Sequence, residues 1–233
     1  MEDADNVYFA WRQLEVSNRL QDQTCQFLCL FRSAFTPEFL TEFIVNYHRH
    51  GAHLLKNYSA EGNHLLFEAQ RMVYAGVFFP ELKDAAIWRE SGINILNREI
   101  KKQVYNDGGQ YELDPHYHLA AINIFCKALR MADCNGFRNE FPSEYLDTVK
   151  NMIAFYANIC FPDYTNPCFS DAKLGDYQAE LANYRDWLAL FPDCDWIRYY
   201  ATEGREALLS PYLSHGALTS GFFTFRNGWK QDA

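Results

Sequence analysis

Apolar residues recur at helical spacing almost from end to end of this 233-residue chain, in segments that alternate between two kinds of surface. That alternation limits the fold more than any single motif does. The segment TPEFLTEFIVNYHRHGAHLLKNY opens with Thr36 as N-cap, Pro37 at the first helical position and Glu38 in the first turn. Phe39, Leu40, Phe43, Ile44, Tyr47 and Leu54 then follow on a helical period. NHLLFEAQRMVYAGVFF is apolar nearly all round, as a helix buried on most sides must be. In PELKDAAIWRESGINILNREIKKQV, residues Leu82, Ala85, Ala86, Ile93, Leu96, Ile100 and Val104 make one stripe against a charged back, which predicts an outer helix. The segment from His116 to Met131 reads as inner and the one from Pro142 as outer, and DYQAELANYRDWLALF, from Asp176, opens another unit. Breaks fall at Ser59–Gly62, Asn106–Gly109, Asn135–Pro142 and Pro162–Gly175, each rich in Gly, Pro, Asn or Asp. Strand-like alternation waits until SGFFTFRNGW, where Phe222, Thr224 and Phe225 stand among turn residues.

The expected fold is therefore all-α, an array of helical hairpins. Asn63 and Tyr117 both stand at the start of an apolar helix, 54 positions apart, and the same step leads forward to Asp171 and back to Phe9, beside Trp11–Arg12. Residue identity between these units is poor, so the rhythm is structural. If each period holds one inner and one outer helix, the inner helices all begin on one rim of a ring, where Arg12, Asn63, Tyr117 and Asp171 converge. An open solenoid without a shared cleft is the alternative.

Composition narrows the function. The net charge of −9 argues against nucleic acid as partner, whose binding needs a basic surface, yet a few arginines in a cleft can still receive an anion. No run of eighteen apolar residues appears, so no membrane span is expected, and the acidic start MEDADNVYFAWRQLE has no apolar signal-peptide core. Seven cysteines without CxxC spacing argue against a zinc site and a disulfide framework, and Cys25 and Cys29 read as core thiols on one helix face. His48, His50 and His53 in YHRHGAH suggest a metal only superficially. His48 falls off the side shared by the other two, no acid or thiol lies nearby in sequence, and a solvated or interhelical face is expected.

Chemistry gathers at two helix starts. EGNHLLFEAQ offers Asn63 and His64; DGGQYELDPHYHLAA offers Gln110, Glu112, His116, Tyr117 and His118. Backbone N–H groups and the helix dipole favour anions there. Removing a proton alpha to a carboxylate needs donors for the developing charge, which Asn and His can be, together with an acid and a base, which Tyr can be. The plain alternatives are a helix cap for Asn63, an aromatic wedge for Tyr117, and a packed ring for His64. His118 points about 100° away from Tyr117 and is expected to be structural. Asp171 can equally cap the next turn, and Arg12 can equally pair with a neighbouring acid.

The ordered set YSAEGNHLLFEAQRM, DGGQYELDPHYH, WRQLE, FPDYTNPCFSDA and SGFFTFRNGWKQDA resembles the helical half of the heparinase II/III-like polysaccharide lyases, nearest to heparinase III-type heparan-sulfate lyases. The resemblance implies an incomplete (α/α) toroid over residues 1–218. Residues 219–233 would then be a linker and the first strand of a β-sandwich domain. It implies β-elimination on uronate polysaccharides without cofactor or metal, and a periplasmic or secreted setting. By the same resemblance Asn63 is the neutraliser of the uronate carboxylate and Tyr117 the general acid, with the role of base also open to it. His64 stands where related alginate lyases use a second donor. Gln110 and Glu112 match a polar surround that binds sugar or holds Tyr117, while His116, Arg12 and Asp171 are further candidates for substrate contact. The family's catalytic histidine comes from the β-sandwich partner domain, and His215 matches no catalytic motif. The chain alone is thus expected to cleave heparan sulfate weakly or not at all. Alginate or another uronate polysaccharide, or glycan binding without catalysis, are the competing expectations.

Overall fold

The computed structural model describes residues 8–206 and 213–228, apart from the side chains of residues 22, 23 and 25. The described chain is mostly helical. In order come α1 (Gln13–Asn18), a π turn at Arg19–Gln23, α2 (Thr24–Phe31), α3 (Pro37–Lys56), α4 (Gly62–Phe78) and α5 (Ala85–Gln103). Then follow α6 (Pro115–Asp133), α7 (Ser143–Ile159), α8 (Tyr177–Leu190), α9 (Asp195–Ala201), and a hairpin of β1 (Ser214–Ala217) with β2 (Phe222–Phe225). None of the described helices is long and apolar enough to cross a membrane.

The local signals act as their chemistry requires. Thr36 accepts the Phe39 amide at 3.2 Å to cap α3, with Pro37 in its first turn. Asp176 caps α8 in the same manner, accepting the Ala179 amide at 3.0 Å. Every break expected from Gly, Pro, Asn and Asp lies outside an α-helix but for Gly62, which begins α4 with φ of 78°.

Contacts divide the chain into two compact units. One comprises residues up to Glu99 together with Lys127–Phe141, the other Ile100–Cys126 together with residues from Pro142 on. In the first unit the core joins Val16, Leu20, Tyr47, Leu54, Met72, Ala75 and Trp88. The Tyr47 hydroxyl is kept from being a buried orphan by the Leu20 carbonyl at 2.9 Å. Helix α4 is buried on most sides, as its composition demands, from Leu65 through Val77. The core of the second unit is rich in packed aromatic rings. Tyr184 stacks on Tyr200 at 4.9 Å and meets Trp187 edge-on at 5.0 Å, while the Tyr145 hydroxyl reaches the Phe125 carbonyl at 3.0 Å.

Several expectations change. The α5 stripe buries Trp88 and exposes Ala86, because the helix begins at Ala85 and Pro80–Asp84 is a turn region. Asp171 lies in the loop ahead of α8, as its place in the sequence implied, but it does not cap that helix, whose cap is Asp176. Cys29 is exposed, so the core-thiol reading fails there, and the Cys25 side chain lies outside the described residues. His48 does have an acidic partner, Asp84 at 2.8 Å, supplied from the far side of α4 in sequence. His50 accepts from Arg19 Nε at 3.3 Å and His53 bonds the Trp11 carbonyl at 3.0 Å, so the three rings serve interhelical contacts. The expected C-terminal strand is β2, and it pairs antiparallel with β1, Ser214 opposite Phe225 and Ala217 opposite Phe222. The expected boundary at 218/219 falls in the turn between them, and residues 229–233 lie outside the described set.

Helices α4 and α5 approach through glycine. A Cβ on Gly92 would stand 2.5 Å from the Ala69 carbonyl oxygen and 2.9 Å from Val73 Cγ2. Gly92→Ala is expected to lower stability by about 1–3 kcal/mol despite alanine's better helix propensity, because a packed core resists added volume. Urea unfolding of the variant beside the parent chain checks this.

Candidate active site

The richest polar cluster is centred on the start of α6. Asp114, 2% exposed, precedes Pro115 and holds the first turn: its Oδ1 accepts the His116 and Tyr117 amides at 2.8 and 3.0 Å, and its carbonyl accepts the His118 amide at 2.8 Å. An Asp–Pro pair is a strong helix start, since the acid satisfies orphan N–H groups and proline lacks the one it would waste. The second oxygen, Oδ2, accepts the Asp171 amide at 2.9 Å. One carboxylate therefore ties the loop carrying Asp171 to the turn carrying Tyr117. Leu113 and Ser170, the residues just before the two tied positions, both take a left-handed backbone with φ of 56°. For residues with a side chain this conformation is costly and persists only where the surroundings enforce it.

Tyr117 projects from this turn 36% exposed, its ring 6.2 Å from that of exposed His116. Gln110 is 1% exposed and its side chain is already occupied. Its Nε2 donates to Glu112 Oε1 at 3.1 Å, and its Oε1 accepts the Glu112 amide at 3.0 Å. Of the two roles open to it, holding the loop fits this burial and binding sugar does not. Glu112 itself is exposed, as is the side chain of Asp171.

His118 is structural, as its direction on the helix implied. The Gln110 amide donates to Nδ1 at 3.1 Å, so the proton sits on Nε2, which donates to the Met152 carbonyl at 2.9 Å. Burial drives its pKa down to about 4, against a smaller upward pull from that carbonyl. The ring is a neutral strut between the loop at Gln110 and α7, packed on Phe155 at 5.0 Å.

Asn63 is the second residue of α4. It is not the cap; that position is Glu61, which makes no side-chain capping bond. The Asn63 Oδ1 is buried and has no hydrogen-bond partner among the described residues, a state a folded chain rarely tolerates without a use. The loop before it is anchored by Glu68, a buried carboxylate that accepts the Ser59 amide at 2.7 Å and the Ser59 hydroxyl at 2.6 Å. Burial raises the Glu68 carboxyl above its ordinary range, against the pull of Ser59, His64 and Arg71. His64 is exposed on the same turn. Arg12 is exposed, 4.0 Å from Glu15, so its neighbouring acid does engage it.

Asn63, His64 and Arg12 belong to the first unit, and Gln110, Glu112, His116, Tyr117 and Asp171 to the second. Within the second unit the structure brings Tyr117, His116 and Asp171 together through Asp114. Sequence reasoning passed over Asp114, although Asp followed by Pro ahead of an apolar helix announces it.

Known proteins share the sequence and fold of the chain as a whole. The family model "Heparinase II/III N-terminus" matches residues 1–199. The chain belongs to that family. The heparin-sulfate lyase of Bacteroides stercoris is 69% identical over 232 residues, 99% of this chain and 35% of that protein. The heparin-sulfate lyase of Pedobacter heparinus is 46% identical over 98% of this chain, again 35% of its own length. Among solved structures, a heparinase III chain superposes with a TM-score of 0.91 at 68% identity, covering 98% of this chain and 36% of that one. A heparan sulfate lyase from Pedobacter heparinus gives 0.86 at 46% identity, covering 99% of this chain and 36% of that one. This member of the heparinase II/III family thus spans about a third of the length of the relatives it matches.

The buried His118 makes stability depend on pH. Its folded pKa lies below the ordinary 6.5, so the unfolded chain takes the proton first, and stability falls as pH drops from about 6.5 to about 4. The loss attributable to this ring is on the order of 3 kcal/mol. His50, lowered to about 4 chiefly by burial, adds a parallel slope. Denaturant midpoints between pH 7 and pH 4 are therefore expected to drop less steeply in His118→Gln than in the parent chain.

Proposed function

We propose that this chain forms the helical part of a polysaccharide lyase that cleaves glucuronate-containing heparan sulfate by β-elimination. The observation that carries the reading is the 69% identity with a heparin-sulfate lyase across 99% of the chain. The relatives described above are named heparin-sulfate lyase, heparan sulfate lyase or heparinase III, which favours this reading over alginate cleavage and over non-catalytic glycan binding. The helical part is read as an incomplete (α/α) toroid, with a β-sandwich domain as its partner.

In the proposed reaction the C5–H bond and the C4–O bond of the uronate break, and a C4–C5 double bond forms. The proton on C5 is acidic only when the neighbouring carboxylate is neutralised. Asn63, in the first turn of α4, donates from its side-chain Nδ2–H to that carboxylate as it gains charge. Tyr117, partly exposed and held by Asp114, gives its phenolic proton to the departing glycosidic oxygen. The C5 proton goes to a base, a histidine of the β-sandwich domain, with Tyr117 also able to serve once deprotonated. His64 and His116, both exposed beside these groups, offer further donors to the anionic chain.

The test joins residues 1–233 to the remaining two-thirds of the Bacteroides stercoris relative and follows the ultraviolet absorbance of the unsaturated product on heparan sulfate. Tyr117→Phe is expected to cut the rate by about 10²–10⁴-fold while glycan binding is retained. Asn63→Ala is expected to lose about 10²–10³-fold, as removal of one charge-stabilising donor does. Near-normal cleavage by Tyr117→Phe contradicts the assignment of the acid.

A further inference from the structure

Asp107 lies in the turn between Val104 and Gln110, ahead of every residue assigned to the site in the second unit, and it is tied to the far end of the chain. Its Oδ1 accepts the Ser220 hydroxyl at 2.6 Å and the Gly109 amide at 3.2 Å. Its Oδ2 accepts the amides of Thr219 and Ser220 at 2.9 and 2.7 Å. Thr219 and Ser220 form the turn between β1 and β2. Burial pushes the Asp107 carboxyl up, but the bonds from Ser220, Gly109 and Thr219 outweigh it and hold the group below its ordinary range. Gly109 is required by this docking, since a Cβ there would strike the Ser220 hydroxyl. Gly108, whose φ is 90°, serves a different neighbour: a Cβ there would strike the Asn151 carbonyl of α7.

The other side of the same hairpin touches the remaining supports of Tyr117. Phe222 packs edge-on against Phe155 at 5.5 Å and against Phe169 at 5.8 Å. Phe155 carries the His118 ring, and Phe169 lies two residues before Asp171, whose amide is held by Asp114. Thr224 adds a bond to the Asn158 carbonyl at 2.9 Å, and Arg226 Nε one to the Cys160 carbonyl at 3.2 Å, fixing the hairpin on the end of α7. The loop at Gln110, the strut at His118 and the loop at Asp171 therefore all bear on this one two-stranded element.

We infer that Asp107 is a positioning residue for Tyr117. By clamping the Thr219–Ser220 turn it seats the C-terminal hairpin against all three supports of the α6 start, so that hairpin docking and Tyr117 placement are one event. The consequence for catalysis rests on the role given to Tyr117 above; the coupling itself does not.

The test uses the 233-residue chain labelled with ¹⁵N and with ¹³C in its tyrosine rings, as parent, Asp107→Asn, Asp107→Ala and Ser220→Ala. Amide exchange at Thr219 and Ser220 is expected to rise by roughly fivefold for each bond lost, most in Asp107→Ala and least in Ser220→Ala. Exchange at the His116 and Tyr117 amides should rise in the same order, with a shift of the Tyr117 ring signal, while Leu66 to Val73 in α4 stay as in the parent. Faster exchange in the hairpin with an unmoved Tyr117 overturns the inference. So does an equal rise at every amide, α4 included, in the mild Ser220→Ala variant, which would mark a general stabiliser. Loss of the lyase reading shows elsewhere, as cleavage that survives Tyr117→Phe, and leaves these exchange results to decide the coupling.

Discussion

The carboxylate of Asp114 is the interaction on which the second unit turns. Buried carboxylates are costly unless their lone pairs are used, and this one collects the amides of His116, Tyr117 and Asp171. Each is a charge-assisted bond, stronger than its neutral counterpart. Together they fix where α6 begins, which way Tyr117 leaves it, and where the long loop after α7 comes to rest. Two left-handed residues, Leu113 and Ser170, are held in place on either side of that junction.

Within each unit the packing holds the helices and the loops before them in place. The first unit closes over Trp88, Tyr47 and Met72, and Glu68 grips Ser59 so that the loop before Asn63 has little freedom. The second unit sets Trp187 and Tyr164 edge-on against the stacked pair of Tyr184 and Tyr200, which gives rings with few rotatable bonds in place of flexible aliphatic chains. Asn63, His64, His116 and Tyr117, the side chains proposed for the chemistry, sit on first turns of helices, and at α6 Asp114 holds that turn in place. A site that must stabilise developing negative charge gains from that placement, because its donors need no reorganisation.

Much of this was legible in the residues. Thr36–Pro37 marked the start of α3, the apolar all-round α4 announced its burial, and the paired polar clusters at Asn63 and Tyr117 were found by their position on apolar helices. The 54-residue step from Tyr117 leads to Asp171, which lies ahead of α8 as read, in a loop six residues before that helix begins. What the sequence hid are pairings between distant side chains. Asp107 and Ser220 are 113 positions apart, and His48 meets Asp84 36 positions away; neither follows from periodicity, which reports faces and not partners. Cys29 shows the opposite failure, a residue with an apolar profile left on the surface. For Gln110 two roles stayed open, sugar contact or support of Tyr117, because the sequence does not show the turn that buries it against Glu112.

The proposed reaction has Asn63 and Tyr117 act on the same uronate. Its most direct test is titration of the labelled chain with a defined heparan sulfate tetrasaccharide, watching the Asn63 side-chain amide and the Tyr117 ring by NMR. The account predicts that both signals move along one binding curve, and that a tetrasaccharide with its uronate carboxylates reduced to alcohols leaves the Asn63 amide in place. Movement confined to residues away from both, or an Asn63 amide indifferent to the carboxylate, would contradict it.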